Sequence, residues 1–390
     1  MSRSSHSLLA VSLLSPFTRT HADQGSQLYQ YSYQLYQEDN DRIRVESHYI
    51  RGSLSLDDET DFRFQWLSDA ISGASPTGAL PGGLQPVYSE VDDLRIGVMG
   101  AIARKFGDHR VEFEVSRSSE EDYLSWGFAL SDQWDLNEKN TTLTYGINYL
   151  NDSVSVPLLG EKPKDSVDLF MGINQTIDKN TLASASLTLG CNEGYLNDPY
   201  KSVQRTDIVE IPDGAGGTIS LPVVNLYREN RPDTRFRQVL QLGARHYFES
   251  AHGTLDGVYR FSNDDFGVRS HTFQLEWRQA IGSKLEVTPF IRYYTQTAAD
   301  FYMQTIDGVP IDSPSEDPDG SSPHYSSDYR LSTFDALSGG VKLRYQFNEN
   351  FAATAAYERY SMNGKGGSDS APDSAYIDAN MFTFGISAEF

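Results

Sequence analysis

Apolar and polar residues alternate one by one through much of the chain. In residues 61–69, Phe62, Phe64 and Trp66 fall on one face, while Asp61, Arg63, Gln65 and Asp69 fall on the other. Val111, Phe113 and Val115 oppose Arg110, Glu112 and Glu114 in the same way, and Phe273, Leu275 and Trp277 oppose Gln274, Glu276 and Arg278. Val341, Leu343 and Tyr345 likewise oppose Lys342, Arg344 and Gln346. Successive side chains of a strand point to opposite faces, so a period of two predicts β-strands with one apolar and one polar face. Strands are predicted near 27–37, 41–54, 61–71, 93–106, 109–118, 122–136, 141–151, 164–177, 181–191, 234–248, 253–263, 268–281, 285–297, 334–347, 351–362 and 377–390. That makes sixteen, with fourteen the alternative because the links at 38–40 and 119–121 are very short. Pro289 has no N–H to give to a ladder; a bulge or an end of pairing would accommodate it.

The links sort into two kinds. Short polar turns (106–109, 137–140, 178–180, 282–284, 348–350) alternate with long links (72–92, 191–233, 298–330, 363–375). A soluble sandwich has no reason to sort its links this way, whereas transmembrane barrels have short periplasmic turns and longer extracellular loops. The expected fold is therefore all-β: a transmembrane antiparallel up-and-down β-barrel over residues 23–390. An even strand count places every long link on the outer side. In lipid each unpaired backbone group costs several kcal/mol, and closing the sheet leaves no edge.

Composition changes this picture only at its margins. Hydrophobic residues are 38% of the 390 and mean hydropathy is −0.48. No run approaches the ~20 apolar residues of a spanning helix, but a barrel shows lipid only alternate residues. The 23 Tyr, 20 Phe and 4 Trp suit a membrane boundary. A net charge of −22 disfavours nucleic acid partners. Cys191 is the single cysteine, so no intramolecular disulfide forms, and nothing around it suggests catalysis. Residues 1–22 read as a signal peptide, with Arg3, the apolar core 7–14 and Thr20-His21-Ala22 before the cut. About five residues then precede the first strand, leaving no room for a plug domain of the energy-coupled transporter type. The last strand carries Phe382, Phe384, Ile386, Ala388 and Phe390 on one face. Such an amphipathic edge strand ending in Phe390 suits β-augmentation by the barrel-assembly machinery.

Several stretches resemble an uncharacterised bacterial domain-of-unknown-function family of predicted outer-membrane β-barrel proteins. They are the motifs at 69–78 (DAISGASPTG), 194–201 (GYLNDPYK), 264–267 (DDFG) leading into 270–272, 292–296 (RYYTQ) with 299–302 (ADFY), and 327–332 (SDYRLS). They span most of the chain. The resemblance implies fold and an outer-membrane location in a Gram-negative cell; the family carries no established activity.

Candidate functional residues fall in two places. Parity assigns Arg42, Arg44, Glu46, His48, Arg235, Arg237, Arg245, Arg260, Glu276, Arg292, Arg344 and Glu358 to the lumen, with Asp256 beside Arg260. Opposed charges across a water-filled lumen set up a transverse field that selects solutes, whereas ion pairs bracing a closed lumen would stop flow. Asp69, Ser72, Asn197, Asp198, Tyr200 and Lys201 mark the loop motifs, either folding loops against the wall or narrowing a pore. The leading function is an open or gated channel for small hydrophilic solutes. The contrasting reading is a non-conducting adaptor or anchor that binds a partner through its loops. A lipid-active enzyme is the third: His271 is its best candidate, on the lipid side near the outer rim, but no Gly-x-Ser-x-Gly elbow or metal-binding His pair occurs. Carboxylates at Asp307, Asp312, Glu316, Asp317 and Asp319 lack an EF-hand spacing, and Pro310, Pro314 and Pro318 suit an extended loop. No cofactor, metal or catalytic group is expected, and the partners expected are outer-membrane lipid and lipopolysaccharide.

Overall fold

The computed structural model describes residues 26–78, 88–214, 216–309 and 317–390. The expected signal peptide, and the parts 79–87 and 310–316 of two long links, lie outside them. The strands are β1 (Gln27–Glu38), β2 (Ile43–Ser55), β3 (Thr60–Pro76), β4 (Tyr88–Phe106), β5 (His109–Ser119), β6 (Tyr123–Leu136), β7 (Thr141–Val156), β8 (Gly160–Asp178), β9 (Thr181–Gly194), β10 (Ser202–Pro212), β11 (Thr218–Arg228), β12 (Thr234–Phe248), β13 (Gly253–Asp264), β14 (Arg269–Ile281), β15 (Leu285–Gln296), β16 (Phe334–Gln346), β17 (Phe351–Gly364) and β18 (Asp378–Glu389). Sixteen of these form a closed antiparallel barrel. The other two, β10 and β11, pair only with each other inside the link from β9 to β12, where the alternation of the sequence predicts no strand.

The seam joins β1 to β18 from Leu28↔Glu389 to Glu38↔Ala379. Gln27 and Phe390 complete it with reciprocal backbone hydrogen bonds of 2.8 and 2.9 Å. At Pro289 the ladder with β14 skips from Glu276↔Phe290 to Gln279↔Val287, while pairing to β16 continues through Pro289↔Val341. The missing N–H is thus absorbed by a local break on one side.

Along most of the wall the outer face is apolar. Leu240 and Leu242 of β12, Phe273 and Leu275 of β14, Ile291 of β15 and Phe384 and Ile386 of β18 are all exposed there, where lipid replaces water as their solvent. Rings gather near the short turns, with Phe351 against Phe390, Tyr345 against Phe347 and Phe248 against Trp277. Such a girdle suits the membrane–water boundary.

Near the long-loop end the polarity of the wall inverts. Ile43, Val45, Ile71 and Val91 are buried together with Tyr36 packed on them. A second cluster joins Phe334, Ala336 and Met362 of the wall to Phe301, Tyr302, Tyr329, Leu331 and Tyr376 of the links. Opposed strand residues share a face, and Val45 lies opposite Tyr36 and Ile71. The interior at this level is therefore a hydrophobic core built from wall and loops, a cap over the lumen.

Candidate functional site

The cap is fastened by charges. Asp198 and Lys201 come from the link after β9, Glu229 and Arg231 from just after β11, and Asp328 and Arg330 from the link before β16; Asp198, Lys201, Glu229 and Asp328 are buried. Arg330 bonds Asp198 at 2.7 Å and chelates Asp328. Arg231 donates to Asp328 at 2.7 Å and to Glu229 at 2.9 Å. Ser326 donates to Glu229 at 2.6 Å. Lys201 donates to the carbonyl of Pro76 and lies 5.5 Å from the Tyr329 ring centre. Three carboxylates face three cations, so buried charge is balanced, as burial demands.

Electrostatics follow from this packing. Burial alone would push Asp198 up, but Arg330 and Lys201 beside it hold its carboxyl at about 2. Burial is likewise overridden at Asp328, which Arg330 and Arg231 hold far below the ordinary aspartate range. Lys201 is pulled down by burial and by the neighbouring Arg330.

The motifs singled out in the sequence converge on this cap. Gly194-Tyr195-Leu196-Asn197-Asp198 meets Ser326–Arg330 through the ion pairs, and Asn197 accepts from the Arg231 N–H at 2.7 Å. The 69–78 motif meets both, since Ser202 N–H donates to the Thr77 carbonyl at 2.9 Å and Ser327 hydroxyl to that of Ser202 at 2.8 Å. Gln296 donates to the carbonyls of Arg330 and Ser332. Asp300 N–H donates to the Phe266 carbonyl at 2.8 Å, and Phe266 packs edge-on against Phe301. Gly267 has φ +86, and a Cβ there would sit 2.3 Å from the Asp300 carboxylate. Only glycine accepts both conditions.

Beneath the cap is a cavity of about 860 Å³, lined by β5–β9 and β12–β15 and roofed by Leu196–Tyr200 and Arg231. Arg235, Arg237, Arg260 and Arg292 form one side, with Asp168 beside Arg237, and Glu112 and Glu114 belong to the other. From β15 the ring runs β14, β13, β12, β9, β8, β7, β6, β5, eight steps in a ring of sixteen, so Arg292 stands diametrically opposite Glu112 and Glu114. Arg235 is held by Asp264 at 2.9 Å and lies over Phe266. Arg237 approaches Asp168 to 3.8 Å across Gly190, whose missing side chain leaves room for both.

The other expected lumen residues divide. Arg245 pairs with Asp256 at 2.6 Å, and Glu276 with Lys342 at 2.8 Å. Arg344 donates to Gln346, and Glu358 lies opposite Gly340 on the inward face. Arg44, Glu46 and His48 are a correction: Glu46 lies opposite Leu35, which lies opposite Phe382, and His48 lies opposite Tyr33. All three face outward, with Tyr33 donating to Glu46 and Tyr31 hydrogen-bonded to His48. Arg42 leaves the strand pattern altogether. It is buried beside Glu38 and donates to the carbonyls of Tyr376 and Ala375 in the β17–β18 link. Of the loop residues, Asp69 is buried 3.8 Å from Arg95, while Ser72 is exposed on the outer face opposite Arg44. Tyr200 donates to Asp122. His271 is hydrogen-bonded to Tyr259.

Among the described residues, Asp93, Glu120 and Asp122 bring ligand atoms within 4.8 Å of one another. The carboxylates that stand out in the sequence lie at 306–320 instead. There Asp317 pairs with Lys162 at 2.9 Å, Asp307 accepts from Thr206 N–H and Asp319 from Ser321 N–H, and Asp312 and Glu316 lie outside the described residues. The Asp93 group combines a strand with the β5–β6 turn, a juxtaposition that no local spacing announces.

A closed sixteen-strand barrel with an apolar wall, a polar lumen and sorted links defines an integral outer-membrane β-barrel protein of a Gram-negative bacterium. The chain belongs to the family described as protein of unknown function (DUF3570), which it matches over residues 1–165 and 158–373. It is similar in fold to CdiB from Acinetobacter baumannii, at 9% identity and a TM-score of 0.53 over 95% of this chain and 61% of that one. A bacterial polysaccharide outer membrane secretin gives 10% identity and 0.50 over 95% and 100%. The siderophore receptor PirA from Pseudomonas aeruginosa gives 11% and 0.45 over 94% and 63%. The chain thus spans under two thirds of CdiB and of PirA, and at these identities the likeness shows the fold alone. No curated protein matches it.

Proposed function

We propose that the protein is a channel for small hydrophilic solutes whose outer mouth is gated by its own loops. One observation carries this reading. A polar lumen with arginines facing carboxylates lies directly below a cap held by ion pairs and hydrogen bonds from separate links. Charged walls order water and select solutes, and noncovalent fasteners can release. Purified protein in planar bilayers is expected to give discrete conductance steps, more often open when Arg330→Ala loosens the cap. Protein that is folded, by its heat-dependent gel migration, but electrically silent in both forms would count against a channel.

A surface adaptor is the second reading, supported by the β10–β11 hairpin. Ile208, Ile211, Ile219, Leu221 and Leu226 are exposed there with 63, 45, 53, 43 and 48% of their surface accessible. Apolar area of that extent outside a membrane favours a protein partner. Replacing residues 207–223 with a short turn should then abolish co-purification of the partner while leaving conductance intact. The apolar outer wall is the surface offered to outer-membrane lipid and lipopolysaccharide.

A further inference from the structure

The chain has 54 acidic and 32 basic residues. In so acidic a protein, several cations gathered in one cavity without close carboxylates ask for an account. Six cations line the cavity among the described residues: Lys164, Arg231, Arg235, Arg237, Arg260 and Arg292. Lys164 bonds Asp152 at 3.2 Å, and Arg231 and Arg235 have the partners described above. Arg237 has only the loose 3.8 Å approach of Asp168. Arg260 has no carboxylate within reach among the described residues, and its Nε and Nη2 donate to the neutral Gln241 at 3.1 and 2.7 Å. Among the described residues Arg292 forms no ion pair, and it is exposed to the lumen.

Register brings these side chains together. Arg260 lies opposite Thr272, and Thr272 opposite Tyr294, two residues along β15 from Arg292. Arg260 also lies opposite Gln241 on β12, whose Arg237 is two inward positions away. The three guanidinium groups share one patch of wall, and like charges gathered there repel. Such a patch is stable when something anionic sits on it, and a guanidinium fork matches carboxylate and phosphate oxygens. Around it are hydroxyls of Ser262, Ser270 and Thr272, suited to a hydroxylated solute. The cavity of about 860 Å³ exceeds a bare inorganic anion and accommodates a sugar-sized molecule.

We infer that Arg237, Arg260 and Arg292 form a binding site for a small hydroxylated oxyanion, its phosphate or carboxylate seated on Arg260 and Arg292. The carboxylate wall across the lumen drives such a ligand toward the arginines. The site binds whether the barrel conducts or stays sealed, so its test does not depend on the channel reading.

The test is calorimetric titration of the folded protein in detergent with glucose 6-phosphate, inorganic phosphate and glucose. Glucose 6-phosphate should bind, more tightly than phosphate, weakening several-fold from 50 to 500 mM NaCl, with no heat from glucose. Arg260→Gln with Arg292→Gln should weaken binding at least tenfold, the two Lys replacements should recover part of it, and Lys179→Gln in a distant turn should change nothing. Absence of glucose 6-phosphate binding by the unmodified protein, or equal binding of glucose, overturns the proposal without need of any variant. Undiminished binding in a folded double Gln variant overturns it as well. Loss of conductance with binding intact would sink only the channel.

Discussion

The two ends of this barrel obey opposite rules. In the membrane band, apolar side chains such as Leu240, Leu242 and Phe273 point out and charges point in. At the capped end Ile43, Val45 and Ile71 point in and Arg44, Glu46 and His48 point out. The backbone and its period are the same; only the solvent on each side differs. Below, lipid is outside and water inside; above, a folded loop core fills the inside and polar surroundings meet the outside. Polarity therefore reports what a wall faces, and parity alone does not say which side is the lumen.

This contrast predicts a ranking of substitutions. Arg330→Ala strips buried Asp198 of its ion-pair partner and leaves Asp328 to Arg231 alone, and removing one partner of a buried ion pair costs about 3–5 kcal/mol. That loss should fall on the cap alone. Limited proteolysis should open the 297–333 link while barrel migration on gels is retained; loss of the barrel as well would show the two regions to be one cooperative unit. Next, Leu242→Arg near the middle of β12 should destabilise the barrel by about 2–4 kcal/mol in denaturant unfolding from vesicles, the cost of an arginine facing mid-bilayer lipid. Glu46→Arg, at an outward position of the capped end, should cost far less. Equal costs would place Glu46 in the lipid band and erase the distinction.

Acid should act on the cap before the band. Asp198, held at about 2, and Asp328, held lower, are depressed relative to an unfolded aspartate near 4. Groups with lowered folded values contribute stability fully present above the unfolded value and lost as pH falls through the folded one. For Asp198 this is about 2 kcal/mol. Protease protection of the loops should therefore hold to about pH 4 and fall as pH is lowered towards 2, and protection still complete at pH 2 would show that these charges do not fasten the cap. The smallest effect is expected at the exposed pair Arg44–Glu46, where solvent screens the charges and truncating Glu46 to Ala should leave the denaturant midpoint unchanged.

Much of the barrel was legible because its wall has the same two environments over many strands. Phe62-Arg63-Phe64 or Val341-Lys342-Leu343 needs only local reading, and sixteen barrel strands follow from it. Parity misassigns Arg44, Glu46 and His48 because the cap reverses the band's rule, and Ile43 and Val45 are equally apolar beside a loop core or beside lipid. The hairpin was hidden because β11 reads Ile219, Leu221, Pro222, Val223, Val224 without a clean period of two. The cap was hidden more deeply. Arg330 and Asp198 are 132 positions apart, and Lys201 and Pro76 are 125. The motifs marked the pieces, and only the fold says that they touch.

The seam between β1 and β18 has a consequence for how the molecule comes into being. Leu28 lies opposite Glu389, so the first wall segment to be synthesised must wait for the last. Until the final strand arrives, two long edges stay open, and an incomplete chain is a template for joining other chains rather than a smaller barrel. Withholding β18, or supplying it late as a separate peptide, should therefore turn biogenesis into a timing problem, in which escort by other proteins determines whether a molecule closes or aggregates.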